Sequence, residues 1–306
     1  MKNILVLLFS SFLTLYGQKT ASIEENYVDF IEDCDACGCS TTGGAFGFGD
    51  LSQKNSLTLR YLYQSYQTKE NIFNNSPWNQ ETFQTLQILG LFSISKKFKI
   101  LSIIPYSHLN RNNASIQGIG DVTINGVYEL INSSTEKKGD HLVYIGGGFK
   151  IPTGTFNNEL RGNINPGFQL GTGSLDYSIL SEYQWKYNQL TWQTLVNYLW
   201  KTTNQNDFKF GNQLNLLTGF TYHLNYKSVN FFPTIGYALE VSEKNVDFGV
   251  TIPNSNGTLH MLKVGNEFKI NQWGLGIHYF TPFKQNLMNQ TVQLNNRWNV
   301  QLQYNF

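Results

Sequence analysis

With 306 residues the chain can hold one large domain or two ordinary ones. A formal net charge of +1 and the lack of any dense Lys/Arg block exclude charge-driven binding to nucleic acid. Charged residues make up 14% against roughly 25% in soluble domains, aromatics reach 15%, and mean hydropathy is −0.30, which excludes a helical membrane protein but suits a wall of alternating oily and wet side chains.

Residues 1–17 carry Lys2, the apolar run Ile4 to Tyr16 and then the small Gly17, the layout of a secretory signal peptide and too short to span a membrane as a mature helix. Residues 18–50 form a second, different segment. It is acidic, holds all three cysteines in Cys34-Asp-Ala-Cys37-Gly-Cys39, and turns glycine-rich before the first strand. This segment is expected on the periplasmic side or folded into the lumen as a plug. As thiolates, Cys34, Cys37 and Cys39 could share one soft ion such as Cu(I) or Zn, although three ligands are one short of a structural zinc site. In an oxidising compartment the alternative is a disulfide with one thiol left over.

From Leu57 a two-residue rhythm begins and runs to the end of the chain. Leu57, Leu59, Tyr61 and Tyr63 alternate with Thr58, Arg60, Leu62 and Gln64, and comparable segments follow around 86–94, 98–109, 122–130, 143–151, 175–187, 190–200, 210–222, 229–241, 258–270 and 273–284. The last is Val292 to Phe306. There Val292, Leu294, Trp298, Val300 and Leu302 form an oily face, and Arg297, Asn299, Gln301 and Gln303 form a wet one. Successive strand residues point to opposite faces, so each segment separates an apolar medium from a polar one.

About twelve strands, an even number, predict an all-β fold: an antiparallel transmembrane β-barrel over 51–306, bathed in outer-membrane lipid, with Trp298 to Phe306 facing lipid and Arg297 facing the lumen. Connections near Lys96, Asn188, Asn225 and Asn271 are tight. Those at Thr68 to Glu81, Arg111 to Gly118, Pro152 to Gly173 and Ser242 to Gly257 are long, the asymmetry expected of periplasmic turns and extracellular loops. Pro105, Pro233 and Pro282 oppose this reading unless bulges absorb them, because a closed barrel has no free edge.

The register brings Asp121, Lys150 and Asp176 to the outer rim on neighbouring strands, about 4.8 Å apart. Such a row is either a salt bridge that pins strand register or part of a constriction that sorts permeants by charge. Arg60, Glu129, Glu182, Lys186, Lys201, Glu240, Lys263, Glu267 and Arg297 are candidates for the lumen wall. Their mixed signs give no strong ion preference, and Arg60 with Arg297 could mark the closing seam. A barrel hydrolase would need His108 beside Ser107 or Ser102, and neighbouring strand residues on opposite faces do not make such a pair.

Gly118-Ile-Gly120-Asp121, Gly148-Phe-Lys150-Ile-Pro152-Thr-Gly154 and Leu170-Gly-Thr172-Gly173-Ser174-Leu-Asp176 together resemble outer-membrane barrels linked to transport in the phenol meta-cleavage pathway. A terminal Phe on an alternating strand also resembles the closing signature of bacterial outer-membrane barrels. The resemblance implies passive passage of small, aromatic molecules. A barrel of about twelve strands is narrow, which favours a small or apolar permeant, and the role expected is a non-catalytic channel. The cysteine segment resembles one that precedes the barrel in some relatives. A rival reading makes the barrel an anchor for a thiophilic-metal handling protein that uses the cysteines.

Overall fold

The computed structural model describes residues 51–52, 55–69, 77–111, 114–135, 139–156 and 169–306. The signal peptide, the segment 18–50 and its cysteines lie outside the described residues.

Twelve strands form the wall. They are β1 (Ser56–Lys69), β2 (Trp78–Ser93), β3 (Phe98–Arg111), β4 (Ala114–Ile119 continued by Val122–Thr135), β5 (Gly139–Ile151) and β6 (Asp176–Tyr187). The other half comprises β7 (Leu190–Trp200), β8 (Gln213–Tyr222 continued by Leu224–Tyr226), β9 (Val229–Ser242), β10 (Gly257–Ile270), β11 (Trp273–Leu287) and β12 (Val292–Asn305). Each pairs antiparallel with its sequence neighbours, and β12 pairs with β1 from Ser56↔Asn305 to Thr68↔Val292. The sheet is therefore closed, so no strand leaves its backbone groups unpaired toward lipid.

Alternation sets the two faces. Leu57, Leu59, Ile88, Ile104 and Ile179 are exposed on the outside, whereas Arg60, Gln87, Asn125, Glu182 and Arg297 are buried inside. Of the expected connections, the pairs 188–189 and 271–272 are two-residue turns, with Asn188 and Asn271 at φ near +50°, where asparagine is well tolerated. The end of the barrel that holds Ser56 and Asn305 is called the terminal end below, and the opposite one the loop end.

Two expectations are corrected. Residues 111–118 are not a long loop: Ala114–Ile119 pairs with β3 from Arg111 to Tyr106 and extends the wall as a hairpin. The oily face of the last strand is also not continuous. Register slips where Ser65 pairs Asn296 but Tyr66 pairs Leu294, so Asn295 is an extra residue and every side chain beyond it changes face. Val292 and Leu294 consequently lie buried inside the barrel, while Trp298 and Leu302 remain outside.

All three prolines sit where pairing is interrupted. Opposite Pro105 the fourth strand breaks at Gly120 and Asp121, between the pairs Tyr106↔Ile119 and Ile103↔Thr123. Pro233 lies between the pairs Thr221↔Thr234 and Leu224↔Phe231. Next to Pro282, β11 and β12 lose register between Phe280↔Arg297 and Leu287↔Val292. There the Gln285 side-chain amide substitutes for the ladder: its oxygen accepts from Leu294 N at 2.7 Å and its nitrogen donates to Leu294 O at 3.2 Å. A missing N–H is tolerated at such irregularities and not within a regular central strand.

If Ile88 faces the hydrocarbon, Ile88→Arg should destabilise the folded barrel in lipid vesicles by about 2–4 kcal/mol. Gln87→Asn, on the inward face one residue away, should cost clearly less. Urea unfolding of the two variants measures the difference.

Candidate functional site

The break opposite Pro105 shifts the phase of β4, so Gly120 and then Asp121, Thr123 and Asn125 point inward. Asp121 thus sits in the bulge itself and not at the first position of a regular strand. Lys150 pairs in register with Thr123 on one side and Asp176 on the other. Its ammonium lies 3.1 Å from Asp121 Oδ2 and 3.1 Å from Asp176 Oδ2, and it donates to Thr172 Oγ1 at 3.0 Å.

The remaining acceptors of the two carboxylates are taken up by backbone and side chains of the loop end. Asp121 Oδ1 accepts from Gly154 N at 3.0 Å, and its Oδ2 accepts from Thr172 N and Thr172 Oγ1, both at 2.8 Å. Asp176 Oδ1 accepts from Ser174 Oγ at 2.8 Å and from Thr202 N at 3.0 Å. Asn204 Nδ2 donates to Thr172 O at 3.1 Å. Three segments, 152–154, 169–174 and 202–204, are therefore gathered on one ionic triad.

The triad is 0–1% exposed. Its polar atoms are engaged by one another and by backbone and hydroxyl groups of the loop end. Gly154 and Gly171 permit the two arms of the loop to touch. A Cβ on Gly171 would stand 2.7 Å from Asp121 Oδ1 and 2.6 Å from Gly154 O, closer than real Cβ contacts come.

The gathered loop places Leu170 in an apolar cluster inside the loop end. Tyr66, Phe83, Leu109, Met261, Phe280 and Leu294 project into it from six different strands. Part of this cluster was hidden in the sequence, since Leu294 counts as oily-face lipid contact until the Asn295 slip is known. A second apolar cluster, with Leu89, Leu101, Val127, Tyr144 and Leu180, also takes in Leu51 from the segment before β1. Lys99, over the Tyr144 ring, donates to Leu51 O at 2.5 Å.

A polar belt forms another part of the wall. Arg297 Nη1 lies 2.6 Å from Glu240 Oε1, and its Nη2 donates to Tyr66 OH at 2.9 Å. Glu240 is three strands away on β9, so this contact crosses the lumen face instead of following the ladder. Arg60 donates from Nε to Gln301 Oε1 at 3.2 Å, from β1 to β12. Of the two arginines expected at the closing seam, Arg60 thus bridges it directly, while Arg297 reaches Tyr66 of β1 and Glu240 of β9. Gln301 continues to Glu267 at 3.4 Å, and Glu267 lies 3.8 Å from both His278 and Lys269.

The remaining predicted wall residues fall elsewhere. Glu129 accepts from Tyr144 OH at 3.2 Å and Asn132 at 3.0 Å, Glu182 accepts from the Gln184 amide, and Lys186 reaches Ser52 at 3.3 Å. Lys201 is buried with its ammonium 5.5 Å from the Phe210 ring.

The sequence model of the family described as "Putative MetA-pathway of phenol degradation" matches residues 40–295. The chain belongs to this family. It is a family of outer-membrane barrels, and solved structures agree on the fold. An outer-membrane channel from Pseudomonas putida F1 is similar with a TM-score of 0.64 at 12% identity, over 83% of this chain and 96% of that one. The β domain of the Bordetella autotransporter BrkA is similar with a TM-score of 0.50 at 10% identity, over 83% of this chain and 100% of that one. No curated protein matches the sequence.

His108 meets neither Ser107 nor Ser102. His108 Nε2 lies 2.8 Å from Ser115 Oγ on the outer face, whereas Ser107 is buried inside against Thr85 at 3.0 Å and Ser102 reaches Gly90 O at 3.5 Å. The cysteine triplet, offered above as a metal or disulfide site, lies outside the described residues.

Breaking the Arg297–Glu240 pair from one side leaves a buried charge alone. Arg297→Met and Glu240→Gln should each destabilise the barrel by about 3–5 kcal/mol, and the double variant by clearly less than their sum. Urea unfolding of the four proteins in vesicles checks this, and strict additivity would contradict the contact.

Proposed function

We propose that the barrel is a passive channel for small apolar or aromatic molecules, with its loop end outward and its terminal end toward the periplasm. The observation that carries this reading is the apolar cluster inside the loop end, set directly above a polar belt. A water-filled pore for ions has no use for Tyr66, Phe83, Met261 and Phe280 turned inward. A solute that prefers to leave water does.

Size supports the same reading. Barrels of about eight strands are filled by side chains and porins of about sixteen to eighteen leave an aqueous channel, so twelve strands leave a narrower path than those porins. Family membership adds an association with aromatic catabolism, while the solved relatives support the barrel alone. Solutes would enter at the loop end, cross the apolar layer past Leu170, and descend a concentration gradient with no reaction along the way.

On this reading the ionic triad holds the loop, and hence Leu170, in the path. Asp121→Asn removes the charge that holds Gly154 and Thr172 together and leaves Lys150 with one carboxylate. In planar bilayers this variant should conduct more than the unmodified protein and flicker more, while Glu129→Gln, far from the triad, should not. Equal conductance of all three proteins would exclude the loop as the narrow point.

A further inference from the structure

Between the apolar cluster and the polar belt, one side chain differs from its neighbours. Lys263 projects inward from β10, and its ammonium stands 5.9 Å from the centre of the Phe280 ring. Phe280 belongs to the apolar cluster, so Lys263 marks the boundary between the two layers.

Other charges of the belt have partners close by. Arg297 holds Glu240, and Glu267 is shared by Gln301, His278 and Lys269. Among the described residues, no carboxylate comes within 4 Å of the Lys263 ammonium. Arg60, a second cation, lies within electrostatic reach of it, and Glu267 is the acid that acts on it. A cluster of cationic groups removed from bulk water is costly unless an anion joins it.

The wall next to Lys263 is bare. Lys263 pairs in register with Gly236 of β9, and Gly236 pairs with Gly219 of β8. The two glycines face the lumen on the same row and contribute no side chain beside the ammonium.

From this arrangement we infer a binding site for an amphiphilic monocarboxylate. The carboxylate pairs with Lys263 in the glycine recess, and the apolar body, alkyl or aryl, lies against Phe280 and Met261. The inference rests on the channel reading and narrows it: the preferred passenger is an organic acid with an apolar tail or ring, not a neutral hydrocarbon.

The test uses the full chain in lipid nanodiscs, with empty nanodiscs as reference, titrated calorimetrically with phenylacetate and with its neutral counterpart phenethyl alcohol. The protein should bind the acid about tenfold more tightly than the alcohol, in keeping with a charge-assisted pair. Lys263→Met should bring the two within about twofold of each other, and Lys263→Arg should keep the preference. Folding of each variant is checked by its resistance to unfolding in cold gel electrophoresis. Equal binding of acid and alcohol by the unmodified protein, or a preference that survives Lys263→Met, overturns the site. Planar-bilayer conductance of the same preparations reads the channel separately: proteins that conduct but do not discriminate sink the acid site alone.

Discussion

Everything in this molecule depends on the pairing of β1 with β12. In a hydrocarbon solvent no water is at hand for free N–H and C=O groups, so a sheet must close on itself. Closure then divides the side chains without exception into those that meet lipid and those that must be accommodated within a cylinder of twelve strands. Leu57 and Leu302 require nothing more than lipid. Arg60, Glu182, Glu240 and Arg297 require partners: Glu182 finds Gln184 on its own strand, Arg60 finds Gln301 on the next, and Arg297 and Glu240 find each other across the lumen face.

The irregularities serve that division. Pro105 cannot donate to a neighbour, and the strand opposite responds with a bulge that turns Asp121 inward. Asp121 then fixes Lys150 and the arms of the following loop, and the loop sets Leu170 into the lumen. In the same way the slip at Asn295 delivers Leu294 to the same cluster. Breaks in the ladder, rather than its regular stretches, thus assemble the apolar layer inside the loop end.

Much of this was legible in the sequence because the strand period is short and the two media differ so strongly. All twelve wall strands, the turns at Asn188 and Asn271, and the convergence of Asp121, Lys150 and Asp176 follow from alternation alone. What alternation cannot register is a change of phase. Val292 and Leu294 keep the parity of Trp298 yet face the opposite way, since one extra residue between them is invisible to a pattern of oily and wet. The hairpin at Ala114–Ile119 escaped for a related reason: Ser115 and Gln117 interrupt the oily outer face, although Ile116 packs on the apolar cluster inside. The partners of the triad in Thr172, Ser174 and Thr202 are contributed by loops, where no period exists to be read, although the glycines around them hinted at close packing.

The account is tested most directly by a nitroxide scan of residues 292–303 in lipid vesicles, with collisions by molecular oxygen as the readout. A closed barrel with its last strand slipped at Asn295 predicts high oxygen exposure at 298, 300 and 302, low exposure at 297, 299 and 301, and a reversal of phase below 296 so that 292 and 294 are shielded. An alternation that continues unbroken from 292 to 302, or uniform shielding of both faces, would contradict it.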